Sequence, residues 1–218
     1  MTEQEWFAEI DPAAMLSRFE KRGVSSRKLR LFAVACCLRI LHLLVPDRRT
    51  PRYWDWHKAI TLAEQYADGV VTYDDLISDW VHLYLKEEEE GQEICWAFLS
   101  QLLSEPHQIF LALQAMRDLS PEQPLRDAEK AAQVEILRDV FAPPGQVNLL
   151  RCSWLAWNDA AIPRMAQAIY DKGSWEDMPI LGDALEDADC SDARLLDHLR
   201  GTGPHVRGCW ALDLILGR

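Results

Sequence analysis

The segment from Ser25 to Leu44, SSRKLRLFAVACCLRILHLL, limits the fold more than any other stretch of this chain. Leu29, Phe32, Ala33, Cys36 and Ile40 recur at helical spacing on one face. Leu31, Val34 and Leu38 cover a second face. A helix that is apolar nearly all round has no side to offer to water, so it belongs inside a bundle of other helices. It is not a bilayer span, because Arg30, Arg39 and His42 interrupt it and a span needs about 20 predominantly apolar residues. Pro46 ends it.

The rest of the chain supplies helices to surround it. No strand alternation and no Asn-Gly or Asp-Gly hairpin turn is found. DPAAMLSRFEKRG carries Asp11 as an N-cap, Pro12 in the first turn and Gly23 past the end, with Met15, Leu16 and Phe19 inside. Thr50-Pro51 opens a helix through Ala67. Thr72 and Asp75 form a capping box for the next, and the Glu87–Glu90 run reads as its solvated end. EICWAFLSQLL and HQIFLALQAMRDL read as two more helices. After the SPEQP turn another runs from about Leu125 to Phe141, followed by the irregular stretch APPGQVNLLRCSWLAWND. Shorter helices are expected at about 159–172, 178–188, 192–199 and 206–216. The expectation is an all-α, irregular multi-helix bundle of about nine to ten helices. Residues 1–141 form an N-terminal bundle and 142–218 a C-terminal subdomain stacked on it, or the two form a single domain.

Composition narrows the function classes. The net charge of −12 opposes binding to a polyanion, which needs clustered cations to release counterions. The only basic clusters are KRGVSSRKLR and PDRRTPR, so a nucleic-acid role would rest on Arg27, Lys28, Arg30, Arg48, Arg49 and Arg52. The acidic start MTEQEWFAEIDP does not resemble a secretory signal. Six cysteines without export read as reduced thiols, so the expected location is cytoplasmic, with no membrane partner. The Walker A, dinucleotide-glycine, H-E-x-x-H and G-x-S-x-G patterns are all absent.

MTEQEWFAEIDPAAML, SSRKLRLFAVACCLRI, AEQYADG, AEKAAQVEILRDVF, AQAIYDKGSWEDMPILGDALEDADC and GPHVRGCWALDLILG resemble a bacterial family found mainly in planctomycete genomes. The resemblance covers most of the chain and weakens across roughly 72–125. It implies a bacterial, intracellular protein. The family has no assigned activity, so the resemblance adds no catalytic residue and no cofactor.

The C-terminal GPHVRGCWALDLILGR holds the one constellation that could carry chemistry. His205, Cys209 and Asp213 would share one side of a helix beginning early enough. With Cys190 and His198 upstream they give C-x7-H-x6-H-x3-C, a ligand set that zinc accepts. The spacing is wider than the short hooks of most structural zinc sites. The same segment also reads as core, with Arg207, Trp210 and Asp213 as a structural lock in which Asp213 takes a bond from Arg207 or Arg200. A Cys209 nucleophile with His205 as base is the third reading, and an apolar setting works against the thiolate it needs. Nine tryptophans are a further signal, read mostly as core anchors. Trp6, Trp154 and Trp157 are the candidates for a partner surface. The first expectation is therefore a non-enzymatic protein-interaction module, an adaptor, regulator or accessory subunit acting on another protein. The alternatives are a zinc-binding protein and a nucleic-acid-associated accessory protein.

Overall fold

The computed structural model describes residues 2–20, 23–44, 49, 51–84, 123–146 and 152–218. Among them are ten α-helices and no strand, so the protein is all-α. In chain order the helices are α1 Glu3–Ala8, α2 Pro12–Glu20, α3 Ser26–Leu44, α4 Pro51–Ala67, α5 Tyr73–Tyr84 and α6 Gln123–Val140. They continue with α7 Cys152–Lys172, α8 Met178–Asp187, α9 Ala193–Arg200 and α10 Trp210–Leu216. None is long and apolar enough to cross a membrane. The helices expected over EICWAFLSQLL and HQIFLALQAMRDL, the Glu87–Glu90 run and Arg48 lie outside the described residues.

The chain divides into two compact units. The expected division at 141/142 is corrected to 134/135, within α6, and residues 1–8 join 135–218 rather than the segment that follows them. The reason lies in α1. Six residues are far too few for a helix to stand alone, so α1 takes its stability from the surface that buries Trp6, which is 1% exposed.

In the unit of residues 9–134, here the α3 unit, Leu31 to Cys37 form an unbroken buried run, as an all-round apolar helix requires. Ala59, Ile60 and Ala63 of α4 and Leu76 of α5 complete its core. Arg27 pairs with Asp68 at 2.9 Å, and Arg30 lies over the Tyr66 ring. These contacts pin the start of α3 to the end of α4. The side chain of Asp11 caps α2 through the Ala13 amide. Thr72 and Asp75 bond reciprocally at the start of α5, the amide of each reaching the other's side-chain oxygen.

In the C-terminal unit, residues 1–8 and 135–218, the core gathers Trp154, Ile162, Tyr170, Leu181, Leu199 and Trp210 with their neighbours. Within α7 the chain breaks helix at Trp157 and passes through three left-handed residues, Asn158, Asp159 and Ala160. Such residues cost about 1–2 kcal/mol each, less for Asn and Asp. Pro163 supplies the reason. In an unbroken helix its ring would meet the Asp159 carbonyl, at a cost of about 3 kcal/mol or more. Restarting the helix after Ala160 places Pro163 in a first turn, where it fits.

Candidate metal centre

Four side chains of the C-terminal unit converge: Asp139, His198, His205 and Cys209. Asp139 comes from the last turn of α6 and His198 from α9. His205 lies on the irregular segment after Gly201, and Cys209 is the N-cap residue of α10. The expected helix over 206–216 is thus corrected to begin at Trp210. Residues 206–209 instead make a turn closed by the Cys209 amide on the Val206 carbonyl at 3.0 Å. The turn has Gly208 at φ +87°, a conformation that favours glycine. His205 and Cys209 therefore meet through a turn, not through helical i, i+4 spacing.

The atoms that could ligate all lie within 4.8 Å of one another. His205 Nδ1 is 2.8 Å and His198 Nε2 3.2 Å from Asp139 Oδ1. His198 Nε2 is also 3.2 Å from Cys209 Sγ. The backbone amide of Val206 donates to the other carboxylate oxygen, Oδ2, at 2.9 Å and fixes the carboxylate plane. The side chains are 3% exposed for Asp139, 7% for His205 and 19% for His198, and Cys209 is fully buried. The Trp210 ring packs 4.8 Å from the His198 ring and holds its orientation.

A Cys-His-Asp set invites comparison with a nucleophilic triad, and the geometry rejects it. A triad is a relay in which the imidazole meets the nucleophile through one nitrogen and the acid through the other. Here His198 meets Cys209 and Asp139 through the same nitrogen, Nε2. Without a cation beside it, the thiol is also held in its protonated form. Burial pushes its pKa well above the usual value, and the Asp139 charge adds to that. The amides of Leu212 and Ala211 at the start of α10 work the other way without overcoming it. Burial works to raise the Asp139 carboxyl as well, but the hydrogen bonds and charge of His198 and His205 outweigh it and hold that carboxyl below its ordinary value.

Convergence on one point is what a metal ion needs. Tetrahedral zinc, with bonds of about 2.0–2.3 Å, places its ligand atoms about 3.3–3.7 Å apart. Three of the six spacings, at 2.8–3.2 Å, are shorter than this because they are hydrogen bonds, and the atoms spread to 4.8 Å, so an ion would have to draw the four side chains into its tetrahedron. His205 Nε2, on the far side of its ring from the cluster, is buried with no hydrogen-bond partner among the described residues. The ring bonds through Nδ1, the nitrogen that faces the cluster, and packs edge-on against the His198 ring.

Three of the four residues expected for zinc are therefore brought together, and one is not. Cys190 is buried in the hydrophobic core just after α8, outside the cluster, and Asp139 stands in its place. The sequence reading missed Asp139, but a signal existed. It is an acid in the last turn of a helix, where the macrodipole disfavours negative charge, beside the core residues Leu137 and Val140. The partner-surface assignment needs correction at two of its three positions. Trp6 and Trp154 are interior, 1% and 4% exposed, because each fills the core of its unit, and only Trp157 is half-buried. Of the lock residues, Trp210 and Asp213 are buried. Arg207 lies over the Tyr170 ring, and Arg200 bonds Asp183 and Glu186. Of the cations expected to meet nucleic acid, Arg27 and Arg30 are engaged with α4.

No family model matches the chain, and no curated protein or solved structure is significantly similar to it. The cluster is read from its own chemistry.

Proposed function

We propose that this is a zinc-binding protein in which Asp139, His198, His205 and Cys209 hold one ion in a closed, structural site. The observation that carries the reading is the convergence of four ligating side chains, two buried and two half-buried, from three separate segments within 4.8 Å. One thiolate, two imidazoles and one carboxylate suit zinc, which accepts mixed S, N and O donors in a tetrahedron. All four corners are protein, and the Val206 amide prevents Asp139 from swinging aside to admit water. The site therefore offers no open position for catalysis. Its role is to tie the end of α6, α9 and the 201–209 segment together, where regular hydrogen bonding does not.

The test is elemental analysis of protein purified without a histidine tag, followed by cobalt substitution. The expected result is about one zinc per chain, with a cobalt derivative showing a thiolate charge-transfer band and tetrahedral d–d bands. The charge-transfer band should vanish in Cys209→Ala. Substoichiometric zinc together with a cobalt form lacking both bands would overturn the proposal.

A further inference from the structure

The N-terminal helix α1 is fastened to the same pieces of chain that supply the ligands. The Arg138 guanidinium donates from Nη2 to the carbonyls of Trp6 and Phe7, at 3.2 and 2.8 Å, capping the end of α1. Arg138 is the residue immediately before Asp139. Glu3, at the other end of α1, takes an ion pair from Arg194 at 2.6 Å. Arg194 stands one helical turn before His198 on α9. Two long-range polar anchors of α1 thus ride on the two helices that the ion would join. The aromatic contact between α1 and those helices is incomplete. A cavity of about 380 Å³ opens there, lined by Trp6, Phe7, Pro143, His198 and Trp210 among others. Phe7 remains 58% exposed.

We infer that the ion latches α1: with the centre loaded, residues 2–8 are docked, and emptying the centre releases them. This rests on the zinc reading above. The physical route is short. Without the ion, the direct polar links between the end of α6 and α9 are the hydrogen bonds of Asp139 and, just past α6, that of Gln146 to the N-cap residue Asp192, and the separation of Arg138 and Arg194 is held less firmly. A six-residue helix cannot be sustained in water by its own backbone bonds, so it depends on the buried Trp6 ring and on these anchors together. Release unwinds α1 and exposes Trp6, so the metal state of a buried site becomes readable at the surface. The large hydrophobic core around Tyr170, Leu181 and Leu199 does not depend on the ion and keeps the rest of the unit folded.

The experiment is hydrogen exchange on the full chain, zinc-loaded and after chelation, with zinc content measured on the same samples. Chelation should strip protection from residues 2–8 while α7, α8 and the α3 unit keep theirs, and added zinc should restore it. Arg138→Ala should free residues 2–8 with the zinc still bound, which separates the latch from the ligands. Equal protection of residues 2–8 in loaded and stripped protein that does bind zinc would overturn the latch and leave the zinc reading standing. Loss of protection throughout 152–218 on chelation would also overturn it, since the ion would then hold up the whole unit. Absence of zinc uptake would defeat both.

Discussion

Two buried cysteine sites in this protein share a starting chemistry and differ in everything placed around it. Cys36, in the middle of α3, is fully buried, and burial pushes its thiol pKa well up, helped by Cys37 and Glu129. Cys209 is buried as deeply and its thiol is raised in the same way. Near Cys36 the polar groups serve one another. Arg39 pairs with Glu129 at 3.0 Å, and Gln133 reaches the same carboxylate. Near Cys209 two imidazoles and a carboxylate aim at one point, and among the described residues only this group of three or more ligating side chains does so. A buried thiol is by default a small hydrophobe. Its neighbours' aim, not its own burial, makes it a candidate ligand.

The comparison can be broken by substitution, and the largest effects belong to the C-terminal unit. Asp139→Ala should cost about 3–5 kcal/mol, because it leaves buried polar partners, including the Val206 amide, without their acceptor. It should also abolish zinc binding. Thermal melts with and without zinc would check this, and a variant that still gains stability from zinc would remove Asp139 from the ligand set. Trp210→Ala should cost about 3–5 kcal/mol through the lost ring and weaken zinc binding as well, since His198 loses its packing partner. Unchanged zinc affinity in a folded Trp210→Ala protein would show that the stack does not position the imidazole.

Next in size is the paired test of the two thiols. Cys209→Ala should eliminate zinc binding and lower the melting temperature of zinc-loaded protein to that of the stripped protein. Cys36→Ala should cost only about 1 kcal/mol, the loss of a small apolar group, and leave zinc content unchanged. If the two variants behave alike in zinc-containing buffer, the contrast between the sites is false. The smallest effect is a control outside the centre. Thr72→Ala removes a capping box and should cost about 1 kcal/mol, with no change in zinc content.

Much of the helix pattern was legible in the sequence because its signals are local. Asp11, the Thr72–Asp75 box and the Pro51 start each act within a turn, and each lies where the pattern places it. The candidate site was legible only in part. His198, His205 and Cys209 lie within twelve residues and stand out by spacing. Asp139 is 66 residues before His205, and no local rule links a carboxylate to ligands that far along the chain. Cys190 was attractive only for being near in sequence. The tail also tempted a longer helix, although GTGPHVRG, with three glycines and a proline, has the composition of a turn. Trp6 misled differently, since a tryptophan near a chain end suggests a free surface while the ring's apolar area favours burial.

The end of α6 carries core residues and a candidate ligand on one turn of helix. Ile136, Leu137 and Val140 are buried in the C-terminal unit, and Asp139 lies among them. Inserting or deleting a single residue between Ile136 and Asp139 would rotate the carboxylate by about 100° against that core face. The carboxylate would then face the wrong way whatever its chemistry. The register of this short span is therefore as constrained as the identity of any ligand. Length variation between this chain and its descendants should fall elsewhere, in the irregular stretch from Ala142 to Gln146 that follows.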